Sequence, residues 1–219
     1  KDFILKELKM KLKKILSHIF IISVALIGFL GLISSPVKSN TPSDVLVVGQ
    51  IAEPKSLDPA TVTAVNDFRI LMNMYDGLVR YKDGTLEVEP ALAKSWTISD
   101  DGKTYTFSLR TGISFHDGSK FDANAVKFNF DRMLDKNHPY HNTGPFPLSF
   151  FFSAIKNVEV VSDNSVRFTL NAPYAPFLSN LAYPTGLIAS PEAIKNNGSD
   201  FGRNPVGTGA FKFNSWKAN

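Results

Sequence analysis

Hydrophobic and polar positions along this chain fall into a few distinct periods. Residues 15–33 are apolar almost without a break, His18 and Ser23 being the main interruptions. Residues 45–51 (VLVVGQI) form a shorter, β-rich apolar run and predict a buried strand. Phe68, Leu71, Met72 and Tyr75 then recur at helical spacing, and Asp76-Gly77 can close that helix. LVRY (78–81) leading into Lys82-Asp83-Gly84-Thr85 predicts a strand entering a turn. Two stretches alternate at period two about tight turns. SWTI, SDDGK and TYTFSLR place Tyr105, Phe107 and Leu109 on one face and Thr104, Thr106 and Ser108 on the other. NVEVV, SDNS and VRFTL repeat the device with Val166, Phe168 and Leu170. Between these hairpins, Val126, Phe130, Met133 and Leu134 define a helix with Asp122 as its N-cap. Residues 138–152 (HPYHNTGPFPLSFFF) are loop-like. Residues 173–186 open in a Pro-rich turn with a short helix about 177–181, and 204–216 (NPVGTGAFKFNSW) predict a Gly turn running into an alternating strand. The class is α+β.

Charge is unevenly spread. Of 24 Lys+Arg and 20 Asp+Glu in 219 residues, seven Lys and two acids fall in residues 1–39, a net of +5; the 17 basic and 18 acidic residues that remain give −1. The overall +4 thus belongs to the first segment, which removes the main support for a nucleic-acid partner. Lys-rich residues 1–14, the apolar run and a small-residue exit (SSPVKSN) describe a secretory signal peptide over 1–39. Val37 and Ser39 suit the −3 and −1 positions, with Asn40 as mature N-terminus. The rival is an uncleaved membrane anchor. Either way the body leaves the cytoplasm, and the periplasm is the expected compartment. With Cys at 0, disulfides, Cys-ligated zinc, thiol catalysis and a lipid-modified N-terminal Cys are excluded. The chain starts at Lys1 rather than Met and stops at Lys217-Ala218-Asn219, so both ends are expected to be cuts in a longer chain.

Candidate chemistry is sparse. His138 and His141 are too few for a metal site, and Pro139 argues against a helix presenting both on one face. Tyr140 and His141 read either as a pocket wall or as a plain surface loop. Gly207-Thr208-Gly209 lacks the third Gly and the Lys-Ser/Thr pair of a phosphate loop. A turn with positive φ would account for both glycines, with close approach to a ligand the second reading. Around Ser114, His116 and Asp117 the nucleophile elbow fails, because His stands where Gly is needed, and Asp117-Gly118 reads as a turn. No catalytic set, metal site or cofactor site emerges.

The order of segments is itself informative. EPKSLDPA (53–60), YDGLVRY (75–81), EPALAKSWTISDDGKTYTFSLRTGISFHDGSKFDANAVKFNFDR (89–132), APYAPFLSNLA (172–182) and NPVGTGAFKF (204–213) resemble the extracellular solute-binding protein family 5. These are the peptide, glutathione and nickel receptors of bacterial ABC importers. The resemblance covers nearly all of residues 45–216, and NHPYHNTG (137–144) is most like the dipeptide-binding branch. It implies the first lobe of a two-lobed, type II, cluster C-like periplasmic binding protein, with the second lobe absent here. Residues 40–64 would begin a sheet subdomain, 65–185 would form an inserted subdomain, and 186–219 would return to the sheet. The resemblance also implies a ligand-facing loop holding Thr61, Val62, Thr63 and Asn66, and a cleft-wall turn at Gly207, Thr208 and Gly209. The expected ligand is a short peptide enclosed by hinge closure, the expected partner an inner-membrane ABC permease, and the expected full-length state a monomer. Nickel, glutathione or haem are the rival ligands. From other classes come a secreted hydrolase and a membrane-anchored adhesion protein.

Overall fold

The computed structural model of the protein describes Pro42 and residues 44–217. The signal-peptide reading lies outside the described residues. The chain divides into two compact units, Lys1–Gly49 and Gln50–Asn219.

Polar/apolar alternation builds the principal sheet. Strands β3 (Ala93–Ile98), β4 (Thr104–Leu109), β5 (Ile155–Ser162) and β6 (Ser165–Leu170) pair antiparallel in the order β3-β4-β6-β5. Register places Trp96, Phe107, Val166 and Val160 in one row, and Tyr105, Phe168 and Val158 in the next. Because side chains alternate across a strand, those rows share a face. The opposite face carries Thr97, Thr106, Arg167 and Glu159. Helix α2 (Ala123–Leu134) packs on β5 and β6, and the Asp122 carboxylate accepts from the N–H groups of Asn124 and Ala125, the expected N-cap. Phe168 sits edge-on to Phe107 at 5.6 Å and to Phe130 of α2 at 5.0 Å; Phe130 meets Phe152 at 5.0 Å. A two-stranded ribbon, β1 (Val79–Tyr81) with β2 (Val88–Pro90), precedes the sheet. Helix α3 (Phe177–Leu181) forms where the pattern places one.

A second core lies beside the first. Helix α1 (Val65–Met74) contributes Phe68, Leu71 and Met74, the preceding loop Leu57 and Val62, and the later chain Ala189, Ala193, Ile194 and Phe201. Ala193 and Ile194 belong to helix α4 (Pro191–Asn197), capped by Ser190, an element the hydrophobic pattern does not predict. Three charged side chains are sealed here as well, Asp58, Asp67 and Arg132.

Three expectations are corrected. Residues 45–51 form no strand: Val45, Leu46, Val47, Val48 and Ile51 are 50%, 82%, 72%, 72% and 97% exposed. A strand needs neighbours for its N–H and C=O groups, and among the described residues none pairs with this run. Residues 204–216 also form no strand. The N–H groups of Gly209 and Phe211 instead donate to the carbonyls of Met74 and Asn73, groups that the last turn of α1 leaves without helical partners. In α1, Asp67 and Met74 face inward, whereas Met72 is 63% exposed, so the buried stripe is shifted from the predicted one.

Candidate functional site

The loop entering α1 is folded by its own polar side chains. Asp58 Oδ1 accepts the Ala60 N–H at 3.0 Å, and the Asp58 carbonyl accepts both the N–H and the hydroxyl of Thr61 at 3.1 Å. The Leu57 N–H donates to Gly202 O, and the Tyr75 hydroxyl donates to Leu57 O at 2.8 Å. Burial pushes the Tyr75 phenol well above its ordinary pKa, with the nearby Asp58 charge adding to the rise, so it stays a neutral donor. The Lys55 N–H donates to Asp67 Oδ1 at 3.1 Å.

These bonds shape residues 61–66 in a particular way. Thr61 is half-buried and its hydroxyl is committed to Ser56 and Asp58, while Val62 is buried in the second core. Thr63 is exposed, and Asn66 is half-buried with its amide on Asp67. The backbone N–H groups of Val62 and Thr63 have no acceptor among the described residues. The donor groups of residues 61–63 left without a bond among the described residues are thus the Val62 and Thr63 N–H groups and the exposed Thr63 hydroxyl.

Tyr140 and His141 are brought close to it. The guanidinium of Arg132, on α2, is bidentate to Asp58: Nη1 to Oδ2 and Nη2 to Oδ1, both 3.0 Å, with the two side chains 1% and 3% exposed. His141 Nδ1 bonds the Arg132 carbonyl at 2.9 Å, the Arg132 guanidinium lies 5.3 Å from the Phe146 ring centroid, and a Cβ on Gly144 would come 2.3 Å from the Thr61 methyl. Tyr140 packs on Phe128, whose ring also meets His138 edge-on at 4.9 Å. Burial holds His138 below the ordinary imidazole range.

Gly207, Thr208 and Gly209 sit elsewhere, at the C-terminal end of α1. That ten-residue helix, about 15 Å long, separates them from residues 61–66. Neither glycine has a positive φ, which corrects the turn-based account. Close approach explains them instead: a Cβ would lie 2.2 Å from Met74 O at Gly207 and 2.5 Å from Met74 C at Gly209. The Thr208 hydroxyl donates to Asp76 Oδ2 at 2.8 Å, and His116 Nε2 bonds Gly209 O at 2.8 Å. Asp117 accepts from the N–H and hydroxyl of Ser119 and from the Ser190 hydroxyl, with Gly118 at φ 86, so this stretch is a turn. An open groove of about 440 Å³, lined among others by Pro54, Leu57, Ile70, Met74, Phe213 and Trp216, includes none of the nine predicted site residues. Among the described residues no group of three His, Asp or Glu could hold a metal ion.

Sequence reasoning missed Arg132, Asp58, Asp67 and Asn129. The amide of Asn129 donates to Ala125 O and Ala189 O and accepts the Ala189 N–H. A signal existed: Ala125, Asn129 and Arg132 recur at 4 and 3 residues, beside the apolar stripe of α2.

The mixed α/β body is that of a periplasmic binding protein, as the solved structures it resembles show. Residues 87–219 match the family described as "Bacterial extracellular solute-binding proteins, family 5 Middle". The chain belongs to that family. It is 37% identical over 185 residues to the probable D,D-dipeptide-binding periplasmic protein DdpA of Escherichia coli, covering 80% of this chain and 34% of that one. It is 42% identical over 163 residues to heme-binding protein A of Haemophilus influenzae, covering 66% and 29%. Among solved structures, the periplasmic binding protein DppA of Helicobacter pylori, in complex with the peptide STSA, superposes with a TM-score of 0.70 at 41% identity, covering 76% of this chain and 36% of that one. The chain thus spans about a third of the length of the relatives it matches. The fold is that of the corresponding part of these binding proteins.

Proposed function

We propose that the full-length protein is the periplasmic receptor of an ABC importer. It captures short peptides, closes over them about a hinge and delivers them to an inner-membrane permease. The observation that carries this reading is the 61–66 loop, where the N–H groups of Val62 and Thr63 have no acceptor among the described residues. Main-chain groups can bind an extended peptide whatever its side chains are, and that matches what a receptor for many short peptides requires. Peptide-binding relatives of similar sequence support the ligand class. In closure, contacts from both sides add up only in the closed state, which ties affinity to the motion.

In this reading the protein binds and releases its ligand unchanged, as a monomer. Isothermal titration of the full-length protein with the dipeptide Met-Leu, glutathione, haem and Ni²⁺ tests it. Saturable binding of Met-Leu, with the dipeptide recovered intact, is the expected result. Binding of haem, glutathione or Ni²⁺ alone would replace the ligand class, and cleavage of the dipeptide would replace the receptor by a hydrolase.

A further inference from the structure

Two loops far apart in sequence, residues 56–62 and 138–146, close around one side chain, that of Arg132. On one side the guanidinium grips both oxygens of Asp58 at 3.0 Å, and Asp58 in turn holds the Ala60 N–H and both donors of Thr61. On the other side lies Phe146, 3% exposed, with its backbone at φ 44. A left-handed conformation is unfavourable for an aromatic residue and persists only where the surroundings over-determine it. Those surroundings are the Arg132 guanidinium and the His141 ring, whose centroid is 5.4 Å from that of Phe146. Gly144 completes the arrangement by abutting the Thr61 methyl.

An ion pair buried this deeply is a poor source of stability, because desolvation offsets most of the attraction; apolar residues of similar volume often do as well. A planar, two-pronged guanidinium does something an apolar pair cannot: it fixes distance and orientation together. We propose that the ion pair of Asp58 with Arg132 is a positioning element for ligand capture. It touches no ligand. It sets the backbone of residues 61–66, where the N–H groups of Val62 and Thr63 have no acceptor among the described residues, and so spares the ligand the work of ordering them. This rests on the reading of that loop as ligand-facing.

The test uses the full-length protein and three variants. Arg132→Lys keeps the charge and loses the two-pronged grip. Gly144→Ala leaves the ion pair alone and drives a methyl against Thr61. Val166→Ala, in β6, loosens the sheet core and removes no hydrogen bond of either loop. Affinity for Met-Leu is measured by calorimetry well below each melting temperature, with amide exchange followed at Ala60, Val62 and Thr63. Arg132→Lys and Gly144→Ala should raise Kd by about tenfold or more and speed exchange at these amides, whereas Val166→Ala should lower the melting temperature and leave Kd unchanged. Should Arg132→Lys fail to fold, Gly144→Ala decides. Equal changes in Kd for Arg132→Lys and Val166→Ala, or none for the two loop variants, overturn the proposal. If the unmodified protein binds no Met-Leu, the ligand reading fails and exchange alone judges positioning: faster exchange confined to the loop variants upholds it, and the same exchange in all three overturns it.

Discussion

The two cores of this protein are built on different principles. The sheet core is apolar and strongly aromatic: Phe107, Phe130, Phe152, Phe168 and Phe177 are each fully buried, and contacts between rings dominate. The second core is threaded with polar groups. Asp58, Asp67, Asn129, Arg132 and Ser190 are buried in or beside it. Apolar packing is tolerant of direction, and it satisfies a core whose strands are already aligned by hairpin turns. The second core joins segments distant in sequence. Asp58 meets Arg132 across 74 residues, Asn129 meets Ala189 across 60, and Asp76 meets Thr208 across 132. No hairpin sets their register, so directional bonds do it. One core supplies cohesion, the other alignment.

Substitutions can break this contrast. The largest effects come from deleting a key side chain in either core. Phe168→Ala should lower stability by about 3–5 kcal/mol through a cavity among the rings of Phe107, Phe130 and Phe177. Arg132→Met should lower it by a similar amount, about 3–5 kcal/mol, by stranding the Asp58 carboxylate. The two then part company. Adding Asp58→Leu to Arg132→Met should restore most of the loss, because the stranded charge is gone, yet peptide affinity should stay impaired. Denaturant unfolding with calorimetry on the same samples checks both halves. Persistent instability of the double variant would mean that the ion pair contributes cohesion after all.

A smaller effect is expected at the end of α1. Gly209→Ala places a Cβ 2.5 Å from Met74 C, where backbone must yield, and should cost about 1–3 kcal/mol in the same unfolding measurement. A neutral result would show that the 207–211 segment is only loosely laid on the helix.

The smallest effect is a pH dependence. Burial acts to raise the Asp117 carboxyl, but bonds from Ser119 and Ser190 outweigh it, and the group titrates below its ordinary value. A carboxylate depressed in the folded state stabilises above its unfolded pKa, near 3.9, and that contribution disappears as pH falls through the folded value. Asp117 remains largely solvent-screened, so the acid limb of the melting-temperature profile should shift only slightly. Ser190→Ala should flatten it there. An unchanged acid limb in Ser190→Ala would remove Asp117 from the alignment of the second core.

The contrast also explains what was legible in the sequence. The hairpins β3-β4 and β5-β6 announce themselves because period-two alternation and an Asp-Gly or Asp-Asn turn are local signals. The family resemblance was legible for the same reason, as a succession of short local motifs. Residues 45–51 and 204–216 misled because an apolar or alternating run says that a strand could form, and says nothing about whether a partner lies alongside. The candidate site was only half legible. Thr61, Tyr140 and His141 do converge, yet the residue joining their loops, Arg132, reads in sequence as an ordinary charge on a helix surface. Its partner Asp58 reads as part of a Pro turn. Burial of an ion pair is a property of three dimensions: the spacing of Ala125, Asn129 and Arg132 marks an inward face of α2, but nothing beside Asp58 in the chain points to its partner.

The most direct measurement is hydrogen exchange of the full-length protein with and without saturating Met-Leu. The account predicts slowed exchange at Val62 and Thr63 on binding, while amides of β4 and β6 stay as they were. Saturable Met-Leu binding that leaves the exchange of residues 61–66 unchanged would contradict it.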